Sequence, residues 1–130
     1  MIYFDTSALV KLVFEEAESS ALAAWLTERA DVPKISSDLS MVELLRTCRR
    51  IDEEAVRDAA LLLGGIDLLP IDRPIVERAA TLFPHELRSL DAIHLASALS
   101  VRADLTTFVV YDSRLRLAAA EADIDVESPA

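Results

Sequence analysis

Apolar positions along the chain switch between two spacings. Ile2-Tyr3-Phe4 is a β-branched and aromatic run of the kind a short buried strand uses. Asp5 stops it, and Ala8 to Phe14 is apolar enough for a helix that Thr6 or Ser7 can cap. A second helix is expected from about Glu16 to Arg29, with Ala21, Leu22, Trp25 and Leu26 at helical spacing. Asp31-Val32-Pro33 breaks it, and Lys34-Ile35-Ser36-Ser37 reads as a short strand. Ser37 or Asp38 then caps a helix over Leu39–Ile51. Asp52-Glu53-Glu54 opens the next helix with acids in its first turn, and Gly64-Gly65 closes it. Ile66 to Pro70 reads as a strand, and Pro74 starts a helix that runs to about Phe83. Ser89 to Val101 is apolar almost all round, which predicts a buried helix capped by Ser89. Thr106 to Tyr111 is the clearest strand. Asp112 ends it, Ser113 to Ala122 is helical, and Ile124-Asp125-Val126 is expected as an edge strand.

Alternating strands and helices predict an α/β fold, a mostly parallel sheet with helices on both faces. No repeat, linker or low-complexity stretch divides the chain, so residues 1–130 are expected to form one domain. A hydrophobic content of 52% supplies a large core and excludes a disordered chain. No apolar run approaches the ~18 residues of a membrane span, and no basic leader precedes the first strand. With one cysteine, Cys48, a cytoplasmic location is expected and an internal disulfide is excluded. His85 and His94 are too few for a histidine-built metal site. The net charge of −10 and pI near 4.5 oppose a general nucleic-acid coat. They allow a local basic rim around an acidic site, and acid clusters suit hard cations such as Mg²⁺ or Mn²⁺.

Four acids carry the candidate chemistry. Asp5 and Asp112 share one pattern: a β-rich run, a carboxylate, then a helix. Each can be a helix cap or a ligand at the carboxyl edge of the sheet, and the pattern leaves both open. Asp91 sits in the first turn of an otherwise apolar helix, where an unpaired buried charge would cost several kcal/mol. His94 shares its face, either as a packed core residue or as a hydrogen-bond partner. Glu43 falls opposite the apolar face of Met41, Leu44, Leu45 and Cys48, beside Arg46 and Arg50, where a solvated face is the plain reading. Carboxylates ~4 Å apart repel by ~4 kcal/mol at an effective dielectric of about 20. If they converge, a cation, a shared proton or an inserted arginine must relieve them.

Taken in order, Asp5-Thr6-Ser7, Met41-Val42-Glu43-Leu44-Leu45-Arg46, Leu90-Asp91-Ala92-Ile93-His94-Leu95-Ala96-Ser97-Ala98 and Val110-Tyr111-Asp112-Ser113-Arg114-Leu115 resemble the PIN-domain ribonucleases. Within them, the chain resembles the VapC toxins of toxin–antitoxin pairs, over essentially its whole length. The resemblance implies a PIN-like three-layer α/β/α sandwich and a divalent-metal-dependent endoribonuclease. It matches the catalytic acids to Asp5, Glu43, Asp91 and Asp112, with Asp5, Asp91 and Asp112 as ligands of Mg²⁺ or Mn²⁺. Glu43 would hold a metal-bound water or a second cation. Val110 departs from the threonine many members carry there. The family also implies a structured RNA substrate such as tRNA or rRNA, a VapB-type antitoxin and a homodimer. Leu9, Leu12, Val13, Phe14, Leu22, Trp25 and Leu26 on the first two helices each read as core, but the antitoxin that the resemblance implies would need some of the set to stay exposed as a groove.

Other classes fit less well. A phosphoryl-accepting signalling domain wants an acidic pair after the first strand and a late lysine, yet no lysine follows Lys34. An Asp-x-Asp phosphatase needs an acid where Ser7 stands. No Ser-His-Asp or Cys-His nucleophile arrangement is present. The alternative that remains is a non-catalytic PIN-like module that binds RNA or protein.

Overall fold

The computed structural model describes residues 1–130. The order is β1 (Ile2–Phe4), α1 (Thr6–Val13), α2 (Ser19–Thr27), β2 (Lys34–Ser37), α3 (Asp38–Ile51), α4 (Ala55–Gly64), β3 (Asp67–Leu69), α5 (Arg73–Ala79), α6 (Ser89–Ser100), β4 (Thr107–Val109), α7 (Ser113–Glu121) and β5 (Val126–Glu127). The sheet runs β3-β2-β1-β4-β5 and every pairing is parallel. From β1 the chain builds outward to β2 and β3, then returns to place β4 on β1's other side. The strand order therefore reverses between β1 and β4, the position where open α/β sheets bind ligands.

The period-2 pattern of the central strands makes the two layers. Ile2 and Phe4 of β1 and Val109 of β4 pack with Leu9, Leu22, Leu44 and Cys48 on one face. Tyr3, Phe108 and Val110 pack with Leu95, Leu99 and Leu115 on the other. Both faces are covered, as a parallel sheet requires. Asp5 keeps extended backbone (φ −81°, ψ 173°), so it continues the Tyr3 side, toward α6.

Several element ends differ from expectation, each for a local reason. The α1 cap is Asp5 rather than Thr6 or Ser7. Arg88, not Ser89, occupies the cap position of α6 and makes no capping bond. Helix α4 starts at Ala55 because the Asp52 carboxylate takes the Glu54 N–H at 3.1 Å in a turn. Helix α5 stops at Ala79, where the Arg78 carbonyl is taken by both the backbone and the hydroxyl of Thr81. Met41, expected in the α3 core face, is exposed, while Leu44 and Cys48 are buried as expected. The last strand pairs two residues later than predicted, because Ile124 is drawn into the core first.

Candidate functional site

Asp5 and Asp112 lie at the carboxyl ends of the neighbouring strands β1 and β4, and both cap helices. Asp5 Oδ1 accepts the Ala8 N–H at 3.2 Å and the Ser7 hydroxyl at 2.6 Å. Asp112 Oδ1 accepts the Leu115 N–H at 2.9 Å. Capping and ligation are thus not rival readings, since the cap occupies one oxygen and leaves the other. Asp5 is only 4% exposed, and Oδ2 makes no hydrogen bond. Because no buried side-chain N or O atom lacks a partner, that oxygen must open at the sheet edge.

Ser7 ties the two strand ends together. Its hydroxyl donates to Asp5 and accepts the Tyr111 N–H at 3.1 Å, one residue before Asp112. Asp91 enters from the first turn of α6. Its Oδ2 accepts the Arg88 Nε–H at 2.9 Å, and Nη2 of the same guanidinium stands 3.5 Å from Asp112 Oδ2. One arginine therefore bridges two of the four acids.

Glu43 is drawn out of the solvated face expected for it. Helix α3 packs against both α1 and α6, and Glu43 Oε1 accepts the Thr6 hydroxyl at 2.6 Å and His94 Nε2–H at 2.8 Å. His94 is buried, and its Nδ1 meets the Tyr3 hydroxyl at 2.9 Å. Nε2 carries the proton whichever way the Tyr3 bond runs, because an ionised carboxylate can only accept. His94 is thus both packed core and partner of an acid.

The protonation of these groups follows from their surroundings. Burial raises the Asp5 carboxyl to about 6, opposed by the Ser7 bond and helped by the Asp91 charge. Burial also pushes Glu43 up, but the His94 and Thr6 bonds outweigh it and hold the carboxyl below its ordinary value. Burial drives the Tyr3 hydroxyl far up, so it stays protonated.

Repulsion among the acids is thus relieved internally, by Arg88 and by the bonds on Glu43. As the side chains stand, no three acids or histidines converge closely enough to enclose an ion. The donor set still fits a hard divalent cation. All its donors are oxygens, Asp5 Oδ2, Glu43 Oε2 and Asp91 Oδ1 make no hydrogen bond, and a guanidinium already bridges Asp91 and Asp112.

All four predicted acids come to one edge, with Glu43 set to one side by His94. Sequence reasoning missed Arg88 and the joining roles of Thr6 and Ser7. The available signal for Arg88 was its i,i+3 spacing to Asp91. For Thr6 and Ser7, a hydroxyl beside an acid reads as a cap and nothing more.

The family described as PIN domain matches residues 2–121. Ribonuclease VapC47 of Mycobacterium tuberculosis (strain CDC 1551 / Oshkosh) is 42% identical over 132 residues, covering 99% of this chain and 97% of its own length. The structure resembles Mycobacterium tuberculosis VapC20, a Sarcin-Ricin loop cleaving toxin, with a TM-score of 0.72 at 16% identity over 95% of this chain and 96% of that one. It also resembles VapBC2 from Rickettsia felis, solved bound to a promoter DNA fragment, with a TM-score of 0.76 at 14% identity over 98% of each chain.

Proposed function

The chain belongs to the PIN-domain family and, within it, to the VapC ribonucleases; on that premise we propose that it is a divalent-metal-dependent endoribonuclease, the toxin of a toxin–antitoxin pair. The observation that carries the metal-dependent reading is the placement of Asp5, Asp91 and Asp112 around the β1–β4 switch point, Arg88 joining Asp91 to Asp112 and unpartnered oxygens remaining on Asp5 and Asp91. These three would hold Mg²⁺ or Mn²⁺, which when bound supplies Lewis acidity toward water and the scissile phosphate.

The chain's own groups do the rest. Glu43, kept ionised by Thr6 and His94, offers Oε2 as acceptor for the attacking water. Its carboxyl lies below the ordinary range, so Glu43 orients that water better than it keeps the proton. Water adds to phosphorus, the bond to the leaving sugar oxygen breaks, one proton passes from the water to solvent, and the leaving oxygen takes one back. Ser7 holds Asp5 and the Asp112 turn in fixed relation throughout.

A VapB-type antitoxin, a homodimeric assembly and cytoplasmic action belong to the same proposal. Of the apolar residues expected to carry the antitoxin, Leu9 and Leu22 are fully buried in the core and unavailable, while Leu12, Val13, Phe14, Trp25 and Leu26 on the first two helices are half-buried and support the proposal. No helix is long and apolar enough to cross a membrane. The test is incubation of the purified chain with tRNA and rRNA in Mg²⁺, in Mn²⁺ and in excess chelator. Cleavage in either ion that chelator abolishes is expected. RNA left intact in both ions overturns the proposal and leaves a binding module.

A further inference from the structure

We infer that Arg88 is a tethered cation that holds Asp91 and Asp112 until a divalent ion takes those carboxylates, whereupon the freed guanidinium binds RNA phosphate. The inference rests on the nuclease reading above. Two different nitrogens of one guanidinium reach Asp91 at 2.9 Å and Asp112 at 3.5 Å, joining the starts of α6 and α7. No other lysine or arginine pairs with any of the four acids: Lys11 pairs with Glu16 and Glu18, and Arg29 with Glu28.

Helix stability does not account for this placement. Arg88 stands at the cap of α6, the end where the helix dipole disfavours a cation, and it contributes no capping bond. What it does satisfy is the negative charge of the edge; hydrogen bonding to Asp91, followed by the fields of Asp91, Asp112 and Glu43, holds the guanidinium more firmly protonated. The contact is exchangeable. The Arg88 side chain is 65% exposed while Asp91 is 14% exposed, so the arginine can swing into solvent and the acid cannot. An ion with two charges competes well against one screened guanidinium. The planar fork that fits a carboxylate fits a phosphate oxygen pair equally. Exchange would keep the edge charge-balanced while delivering a cation to the substrate's side.

Arg88→Gln and Arg88→Lys test this against the wild-type chain. Mn²⁺ titrated calorimetrically into the metal-free proteins reports competition, and anisotropy of a single-stranded oligoribonucleotide in Ca²⁺ reports phosphate binding. Arg88→Gln should bind Mn²⁺ about fivefold more tightly, since the site is no longer occupied by its own cation, and should bind RNA about tenfold more weakly. Arg88→Lys should lie between, keeping the charge without the fork. Opposite signs separate the effect from misfolding, which would weaken both. Unchanged or weaker Mn²⁺ binding by Arg88→Gln, or unchanged RNA binding, overturns the inference. Should the wild-type chain bind Mn²⁺ and cut RNA while Arg88→Gln matches it, this inference alone fails. A wild-type chain that does neither removes the nuclease reading and this inference with it.

Discussion

At the scale of single residues, Asp5 shows why a functional acid can hide behind a structural one. Cap and ligand were open alternatives in the sequence, and the structure gives the cap to Oδ1 while Oδ2 stays without a partner. The cost of that arrangement is measurable. Burial moves the carboxyl from 3.8 to about 6, so the folded state holds the proton more tightly than the unfolded chain does. The contribution of Asp5 to stability is therefore greatest below about pH 4, falls as pH rises from ~4 to ~6, and carries its full penalty of ~3 kcal/mol above that. Asp5→Asn keeps a capping oxygen and removes the charge. Without metal it should gain ~1–3 kcal/mol at pH 8 and nothing at pH 4, read as melting temperatures at both values. Identical melting of the two proteins at pH 8 would contradict the burial account. The reach of Arg88 to Asp112 and the Thr6 and His94 bonds to Glu43 were not legible, because each depends on which helices pack together.

At the scale of elements, the alternation of apolar runs was enough to place every strand and helix, and errors fell at the ends. They fell there because side chains such as Asp52, Thr81 and Asp5 compete for terminal backbone groups, a contest that hydrophobic period does not register. Glu43 is the informative miss. Helical spacing put it on a solvated face, yet α3 is wedged between α1 and α6, so a second face of that helix is partly covered. The β1 and β4 ends are coupled by Ser7, which predicts an effect no single strand would reveal. Ser7→Ala leaves the Tyr111 N–H without its partner, at a cost of ~1–3 kcal/mol. It also removes the bond that lowers the Asp5 carboxyl, so that group rises above 6. Activity at pH 6 should fall more than activity at pH 8, measured as a pH–rate profile for both proteins. A profile lower at all pH values but unmoved in position would show that Ser7 does not tune Asp5.

At the scale of the whole molecule, the class of fold was legible from strand–helix alternation, while the strand order was not. Nothing in local pattern says that β4 returns to the far side of β1, and that return brings Asp112 to Asp5. The net charge of −10 sets the terms for RNA, which must be met by a local cationic surface. Arg46, Arg49, Arg50, Arg114 and Arg116 are exposed and none forms an ion pair. They are free for phosphate rather than spent on neighbouring acids. Charge reversal at Arg46 and Arg50 should weaken RNA binding and flatten its dependence on salt, by about one in logarithmic slope for each phosphate no longer neutralised. An unchanged slope would put the RNA path elsewhere on the molecule. The central claim, that the acids placed around the β1–β4 edge form a metal-dependent nuclease site, is tested most directly by the RNA cleavage rate of Asp5→Asn and Asp91→Asn in Mg²⁺ and Mn²⁺. Both variants should keep the wild-type circular dichroism spectrum and lose at least ~100-fold in rate, as loss of a principal electrostatic group does. Near-full cleavage by either variant, in either ion, would contradict it.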